Sequence, residues 1–390
     1  MQKKGHGLSS TGAINESVLT ARTAKVRHGY LPSLDGWRAI AIISVILYHD
    51  SLHRVGPVTT LWFWRCGDRG VDLFFAISGI LICSRLLDEE RVTRSISLTK
   101  FYIRRFFRII PPAFLYLTVL AIAGILKLVP SPWIDWAGAA MFFRNYLPVT
   151  SAGWYSAHFW SLSMEEHFYL VIPGLLVLIT RSRLKVFGGL VLVMTAWHFL
   201  VLLKMDHTLE HVRTDTRITF LLIPAMFAIM LQSPDLRRRL TQWTRWWLII
   251  LVAAVGYITA TIWLNSISGI LLTSIVEPTL LSMLLLSTVL HPANLLSRFL
   301  ELRFMRFIGQ ISYSLYLWQQ LFFVNHFGTK TNLLALSALP WWVRAIATFI
   351  CAYASYKLLE KPMIKLGHRL APPATAGRND SEENKASSRE

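Results

Sequence analysis

The chain has 390 residues, of which 54% are hydrophobic, and its formal net charge is +18. A composition so rich in apolar residues indicates a membrane protein with many spans and excludes an ordinary soluble domain. The charge would suggest nucleic-acid binding in a soluble protein, but the basic residues lie mostly between apolar runs, which the positive-inside rule explains better. The cysteines have no metal-ligand spacing, and we expect no disulfide framework.

The apolar runs divide the chain into three parts. We predict a disordered cytosolic tail over residues 1–33, a transmembrane domain over 34–366 and a second disordered cytosolic tail over 367–390, with no signal peptide before the first span. Lysine and arginine are concentrated in alternate connecting segments, which predicts that both termini lie in the cytoplasm. The expected fold is an all-α polytopic bundle of about ten transmembrane helices, at residues 36–53, 70–87, 109–129, 159–180, 185–203, 217–232, 247–264, 269–290, 308–326 and 341–358, with a further short or re-entrant segment possible within 133–150.

The first span carries an arginine and a histidine at its two ends. Arg38 and His49 are eleven positions apart, so they share one helix face and lie about 16 Å apart along the axis. An ionisable group inside a span costs on the order of 2.5–3.5 kcal/mol and often marks function. Arg38 as an interfacial anchor and His49 as the cap of the span are the alternative. With the predicted orientation Arg38 lies at the cytoplasmic end and His49 in the outer leaflet, so only a long, thin ligand bound at the inner face reaches both.

The fourth span begins with two adjacent carboxylates, Glu165 and Glu166. One interpretation is that acids favour the positive end of the helix dipole. The other is that one carboxylate faces His49 at the same depth and orients its imidazole as a general base. The two side chains point about 100° apart, so only one can face a given partner. We favour Glu165, which shares a helix face with His158, seven positions earlier.

Three arginines precede the third predicted span. Arg105 and Arg108 share a helix face, and their guanidinium forks suit the phosphates of a donor that arrives from the cytosol. A positive-inside anchor is the alternative, especially for Arg104.

Other polar residues within the apolar runs are weaker signals. Asp72 is expected at the depth of His49, while the nearby Ser78 and Gly79 indicate close helix packing. His49 and His53 are spaced like a metal pair, but without a clear third ligand we expect no metal site. No glycine-rich nucleotide-binding pattern is present.

Taken together, these motifs resemble the acyltransferase 3 family of bacterial membrane proteins, which includes O-antigen and exopolysaccharide O-acetyltransferases. The resemblance covers about residues 31–366 in the order of the family. The matching stretches are LDGWR at 34–38 with His49, GVDLFF at 70–75 with Ser78 and Gly79, Arg104, Arg105 and Arg108 with Pro111, WSLSMEE at 160–166, ISYSLYLW at 311–318 and EKP at 360–362.

The resemblance implies a multi-pass protein of the bacterial inner (plasma) membrane. Such a protein takes an acyl group, most often acetyl, from cytosolic acyl-CoA to a hydroxyl of a carbohydrate or glycoconjugate at the outer face. Acyl-CoA is then a co-substrate, no cofactor is permanently bound, and the partners are the acceptor and the lipid bilayer, without nucleic acid. The resemblance implies that His49 is catalytic with Arg38 in the same motif, and that Arg104, Arg105 and Arg108 bind the donor. With the residues singled out above, the candidate catalytic residues are His49, Glu165, Glu166 and Arg38, the acyl-CoA-binding residues are Arg104, Arg105, Arg108 and Arg38, and the supporting residues are Asp35, Asp72, His158, Tyr313 and Trp318.

His49 is expected to take the proton of the acceptor hydroxyl or to carry the acyl group briefly. Relatives often have histidine at Gln319 and glutamine at His167, so the roles of these two positions stay open. Some relatives carry a fused extracytoplasmic hydrolase-like domain, and we expect this chain to act without one in cis. Two other functions remain open. A proton-coupled transporter would use Arg38, His49 and Glu165 as a relay, and a non-catalytic assembly protein would tolerate their replacement.

Overall fold

The structure is a computed structural model that describes residues 31–51, 67, 69–130, 132–148, 153–204, 212–263, 267–323 and 339–373. Within these ranges the chain is helical and forms no strand, as the sequence predicts. The helices are α1 (Pro32–Ser51), α2 (Arg69–Thr93), α3 (Leu98–Ile125), α4 (Trp133–Ala140), α5 (Trp154–Ala157), α6 (Phe159–Leu178), α7 (Arg183–Lys204), α8 (Thr214–Arg217), α9 (Thr219–Met230), α10 (Pro234–Thr244), α11 (Trp247–Trp263), α12 (Ile267–Leu290), α13 (Leu295–Leu300), α14 (Arg303–Gln310), α15 (Ser312–Phe322), α16 (Trp341–Ser355) and α17 (Lys361–Leu370). A 3₁₀ turn lies at Arg144–Tyr146, and a π-helical turn at Tyr356–Glu360 joins α16 to α17.

Several of these helices have the length and apolar character of membrane spans. Among the described residues, α2, α3, α7 and α12 are long and apolar enough to cross a membrane, and α9 with α10 would add a fifth span despite a bend of 116° between them. The ten predicted spans and the cytoplasmic termini therefore stay predictions. His53, nearly all of the predicted tail over 1–33 and the tail beyond residue 373 lie outside the described residues.

Two predicted spans differ from the helices in the structure. α3 begins at Leu98, where the Ser97 hydroxyl accepts a hydrogen bond from the backbone N–H of Lys100 over 3.4 Å. The predicted span starts at residue 109, eleven positions later. Pro111 and Pro112 lie inside one continuous helix, as membrane helices tolerate. The predicted ninth span is split at Ile311 into α14 and α15.

Small residues bring the central helices into close contact. A methyl group added at Gly79 of α2 would lie 2.5 Å from the backbone oxygen of Leu221 in α9, which agrees with the packing role predicted for this glycine. A side chain at Gly309 of α14 would meet the backbone carbonyl of Asp35 in α1. These contacts pack α2 closely against α9, and α14 closely against α1.

A polar cluster fixes the start of α8. The Arg213 guanidinium contacts the Asp215 carboxylate over 2.6 Å, and the Trp197 indole N–H of α7 donates to the same carboxylate over 2.8 Å. Partial burial alone would raise the pKa of the Asp215 carboxyl, but the hydrogen bonds from Arg213 and Trp197 outweigh it and hold the pKa below its usual value.

Candidate active site

A cavity lined by arginines opens at the end of the bundle where α1 begins. Its volume is about 250 Å³. Three guanidinium groups from three different helices line it, and two carboxylates accompany them. The charged lining residues are Arg38 of α1, Arg85 of α2, Arg108 of α3, Asp35 of α1 and Glu360 of the π turn.

The acids neutralise only part of this charge. Arg38 donates to Asp35 over 2.8 Å, and Glu360 accepts a hydrogen bond of 2.7 Å from the Ser314 hydroxyl. In the part of the chain that the structure describes, neither Arg85 nor Arg108 forms an ion pair. Both lie within electrostatic range of Arg38. The cavity therefore holds an excess of positive charge that an anionic ligand would relieve.

The three arginines expected to bind the donor have separate environments. Arg108 lines the cavity. Arg105 does not line it, and its guanidinium lies over the ring of Tyr169, 5.0 Å from the centroid. Arg104 contacts Glu89 over 3.4 Å and donates to the Ala371 carbonyl over 3.2 Å, outside the cavity lining. Arg85 was missed by the sequence analysis, because at the predicted cytoplasmic end of a span it looks like another positive-inside residue.

Glu165 lies between this cavity and His49. Its carboxylate accepts hydrogen bonds from the Ser78 hydroxyl at 2.8 Å and the Tyr169 hydroxyl at 3.0 Å, and Arg105 lies within electrostatic range. The structure therefore gives Glu165 partners other than the imidazole that the sequence analysis expected. The physical reason is depth, since seven residues of helix carry Glu165 about 10 Å further along the axis than His158.

Glu166 lies beside Glu165 but has a different environment. Its Oε1 atom is buried and has no hydrogen-bond partner among the described residues. Tyr313 lies within electrostatic range of both glutamates and of Glu360, and its hydroxyl donates to the backbone carbonyl of Ile109 over 2.8 Å. Tyr313 thus stands between the arginine cavity and the buried glutamates.

His49 lies on the opposite side of Glu165 from the cavity, within a group of aromatic rings. Its ring meets that of Trp154 edge-on, with centroids 5.6 Å apart. The short helix that carries Trp154 leads directly to His158, which lies within electrostatic range of His49. The structure therefore brings the two histidines together at one end of the helix face that begins at Arg38.

Other residues near His49 form a buried polar layer. The Tyr316 hydroxyl lies 2.6 Å from the Ser161 hydroxyl and donates to the His158 carbonyl over 3.0 Å. Trp318 packs edge-on against Tyr116 at 5.7 Å. Gln319, where relatives often have histidine, is buried and donates to the Gln320 side chain over 3.0 Å.

Two ion-pair groups hold the helices around this layer. Asp50, directly after His49, contacts Arg344 of α16 over 2.6 Å. Asp72 accepts three hydrogen bonds from Arg217, of 2.5, 2.6 and 3.1 Å, and a longer one of 3.5 Å from Arg69. Arg69 also contacts Glu277 of α12 over 2.8 Å. Asp72 of α2 therefore links this helix to α8 through Arg217. The Asp50 pair was missed, although an aspartate inside a span is itself a signal that a cationic partner exists.

His167 is the other position whose role the sequence leaves open. His167 lies 2.7 Å from the Thr214 hydroxyl of α8 and within a cluster of aromatic side chains. In the ranges that the structure describes, no group of three or more His, Cys, Asp or Glu side chains could hold a metal ion.

The amino-acid sequence of the chain is similar to those of known proteins. The model of the family described as an acyltransferase domain matches residues 31–358. The peptidoglycan O-acetyltransferase OatA of Listeria monocytogenes is 28% identical over 372 residues, which cover 89% of this chain and 58% of that protein. A putative O-acetyltransferase of Staphylococcus aureus strain COL is 29% identical over 377 residues, and the O-acetyltransferase OatA of strain NCTC 8325 is 28% identical over 375 residues, both covering 87% of this chain.

The matched part spans 58% of the length of these curated relatives. No solved structure matches the chain. The family model nevertheless covers most of the chain and agrees with the motif-based resemblance, so the chain belongs to the acyltransferase 3 family.

Proposed function

We propose that this protein is a membrane O-acyltransferase that moves an acyl group, most often acetyl, from cytosolic acyl-CoA to a hydroxyl of a carbohydrate at the outer face. The observation that carries the proposal is the arginine-lined cavity at one end of α1, joined through buried polar residues to a pair of histidines at the other. Two relatives are named O-acetyltransferase and peptidoglycan O-acetyltransferase, which supports the reaction and the acceptor class.

The cavity suits the nucleotide end of the donor. Coenzyme A carries three phosphate groups, and arginine forks bind phosphate oxygens with two parallel hydrogen bonds. Arg85 and Arg108 lack ion-pair partners among the described residues and have such bonds to offer. Arg38 would bind phosphate in competition with Asp35.

The helix face between Arg38 and His49 suits the thin arm of the donor. The two residues lie about 16 Å apart along the axis of α1, a distance that a pantetheine arm but not a bulky group can follow through a packed bundle. Ser78, Tyr169 and Glu165 form a hydrogen-bonded group between the two ends. These groups would contact the amides of the arm.

The chemistry at His49 is acyl transfer to oxygen. His49 accepts the proton of the acceptor hydroxyl while the hydroxyl oxygen forms a bond to the thioester carbonyl carbon. The carbon–sulfur bond then breaks, and the departing thiolate takes the proton from His49. The ester product remains at the outer side and free CoA leaves from the arginine cavity.

Binding of acetyl-CoA to the purified protein tests the proposal. We expect Arg85→Ala and Arg108→Ala to weaken binding at least tenfold and His49→Ala to keep it. Arg91→Ala is the matched control, because Arg91 lies on the same helix as Arg85, is 70% exposed and does not line the cavity. Well-folded wild type that binds no acetyl-CoA would contradict the proposal and favour the transporter.

A further inference from the structure

His158 is a buried histidine whose two ring nitrogens have no hydrogen-bond partner among the described residues. The residue is only 3% exposed. Its ring is surrounded by Tyr116, Phe159 and Tyr316, with centroids 5.0 to 5.5 Å away. The Tyr316 hydroxyl bonds to the backbone carbonyl of His158 and leaves the ring nitrogens without a partner.

Burial of an imidazole without hydrogen-bond partners lowers the stability of the folded protein. Whichever nitrogen carries the proton, the neutral ring has one N–H donor and one acceptor, and both are withheld from water. Buried polar groups are almost always paired, so an unpaired one calls for a partner that arrives from elsewhere. An aromatic side chain would fill this space without that cost.

The surroundings indicate what kind of group arrives. His49 lies within electrostatic range, and Trp154 packs against it. The indole N–H groups of Trp154 and Trp318 are also buried and unpartnered in the described part of the chain. Trp154 thus brings an unpartnered hydrogen-bond donor beside the histidine that the proposed function assigns to proton transfer, and Trp318 packs on Tyr116 of the ring cluster around His158.

We propose that His158 donates its N–H hydrogen bond to the carbonyl oxygen of the acyl group. The inference rests on the proposed function. When the acceptor oxygen adds to the carbonyl carbon, the electron pair of the C=O bond moves to the oxygen, and the His158 N–H stabilises this oxyanion. The C=O bond re-forms as the carbon–sulfur bond breaks, and His158 keeps its proton throughout. The two histidines therefore have different tasks, His49 moving a proton and His158 holding charge.

Two substitutions test the donor role. His158→Phe keeps a ring in the aromatic cage and removes both nitrogens. We expect it to raise the unfolding temperature, because an unpaired polar group is lost, and to slow thiol release from acetyl-CoA with chitotetraose as acceptor by about a hundredfold. His158→Gln keeps an N–H donor but cannot act as a base, and we expect it to retain a rate at least tenfold above that of the Phe variant.

Tyr116→Phe is the matched control from the same cage. The Tyr116 hydroxyl donates to the Tyr155 carbonyl over 2.7 Å, so its loss should lower the unfolding temperature and leave thiol release unchanged. His158→Phe that is less stable than wild type, or as active as wild type, overturns the inference. His158→Gln as slow as the Phe variant overturns it as well, since a base is then required. Failure of the proposed function is distinct, because wild type would then not bind acetyl-CoA at all.

Discussion

Asp50 and Arg344 form a buried ion pair of 2.6 Å that joins the C-terminal end of α1 to α16, although 294 positions separate them in the chain. The pair lies directly after His49. Its geometry therefore fixes the last turn of the helix that carries the histidine.

Breaking this pair should lower both the stability and the activity of the protein. Arg344→Met leaves the Asp50 carboxylate buried without its cation, and removal of one partner of a buried pair costs about 3–5 kcal/mol. We expect a lower unfolding temperature in detergent and slower acyl transfer. In the double variant Asp50→Asn, Arg344→Met both charges are gone, and most of the stability should return. Additive losses from the two single changes would show that the pair does not act as a unit.

Removal of an acid from the arginine cavity should strengthen donor binding. Glu360 competes with an incoming phosphate for Arg108 and Arg38, both within electrostatic range. Glu360→Gln keeps an oxygen that can accept the Ser314 hydrogen bond, and we expect it to lower the Kd for acetyl-CoA by about three- to tenfold at low salt.

Glu89→Gln is the control for this prediction, because Glu89 contacts Arg104 and does not line the cavity. We expect its Kd for acetyl-CoA to match that of wild type. Weaker binding by the Glu360→Gln variant would mean that phosphate does not occupy this cavity.

The closely packed position of Gly79 should not tolerate a side chain. Gly79→Ala would bring a methyl carbon to 2.5 Å from the Leu221 carbonyl oxygen, and we expect a loss of about 1–3 kcal/mol from overpacking. Gly189 of α7 has nothing within 4 Å of the added atom. Gly189→Ala should leave the unfolding temperature unchanged or slightly raised. Equal effects of the two variants would contradict the packing of α2 on α9.

Acid should weaken the cluster at the start of α8. The pKa of Asp215 is lower in the folded protein than in the unfolded chain, so its contribution to stability is present above about pH 4 and is lost as the pH falls through the folded pKa. The unfolding temperatures of wild type and Asp215→Asn, measured at pH 6 and pH 3, check this. The difference between the two proteins should be larger at pH 6 than at pH 3.

The sequence predicts the helix that carries Arg38 and His49 well, because a helical period over one continuous apolar run needs no tertiary information. The depth of Glu165 could not be obtained in the same way. Its neighbour Tyr169 lies four positions later on the same helix, but Ser78 belongs to α2, and its contact with the acid depends on how α2 and α6 dock. The pairing of Asp50 with Arg344 cannot be predicted from the sequence, because it too depends on how two helices dock.

The arginine region shows another limit. The third span was predicted to start at residue 109, after the arginines, whereas α3 begins at Leu98 and includes them. Arg85 carries no local signal that separates it from an interfacial anchor. Its role emerges only when three helices bring their guanidinium groups into one cavity.

α1 runs unbroken from Pro32 to Ser51, so the separation between Arg38 and His49 cannot shorten without unwinding a helix. The fixed length of this helix segment therefore selects a donor by the length of its arm. A small activated acetyl compound such as acetyl phosphate can contact the arginines or the histidine, but not both, whereas a donor with a long arm contacts both at once. We expect acetyl phosphate to support no transfer at concentrations where acetyl-CoA does, and a direct comparison of the two donors measures how strictly the length of one helix selects the substrate.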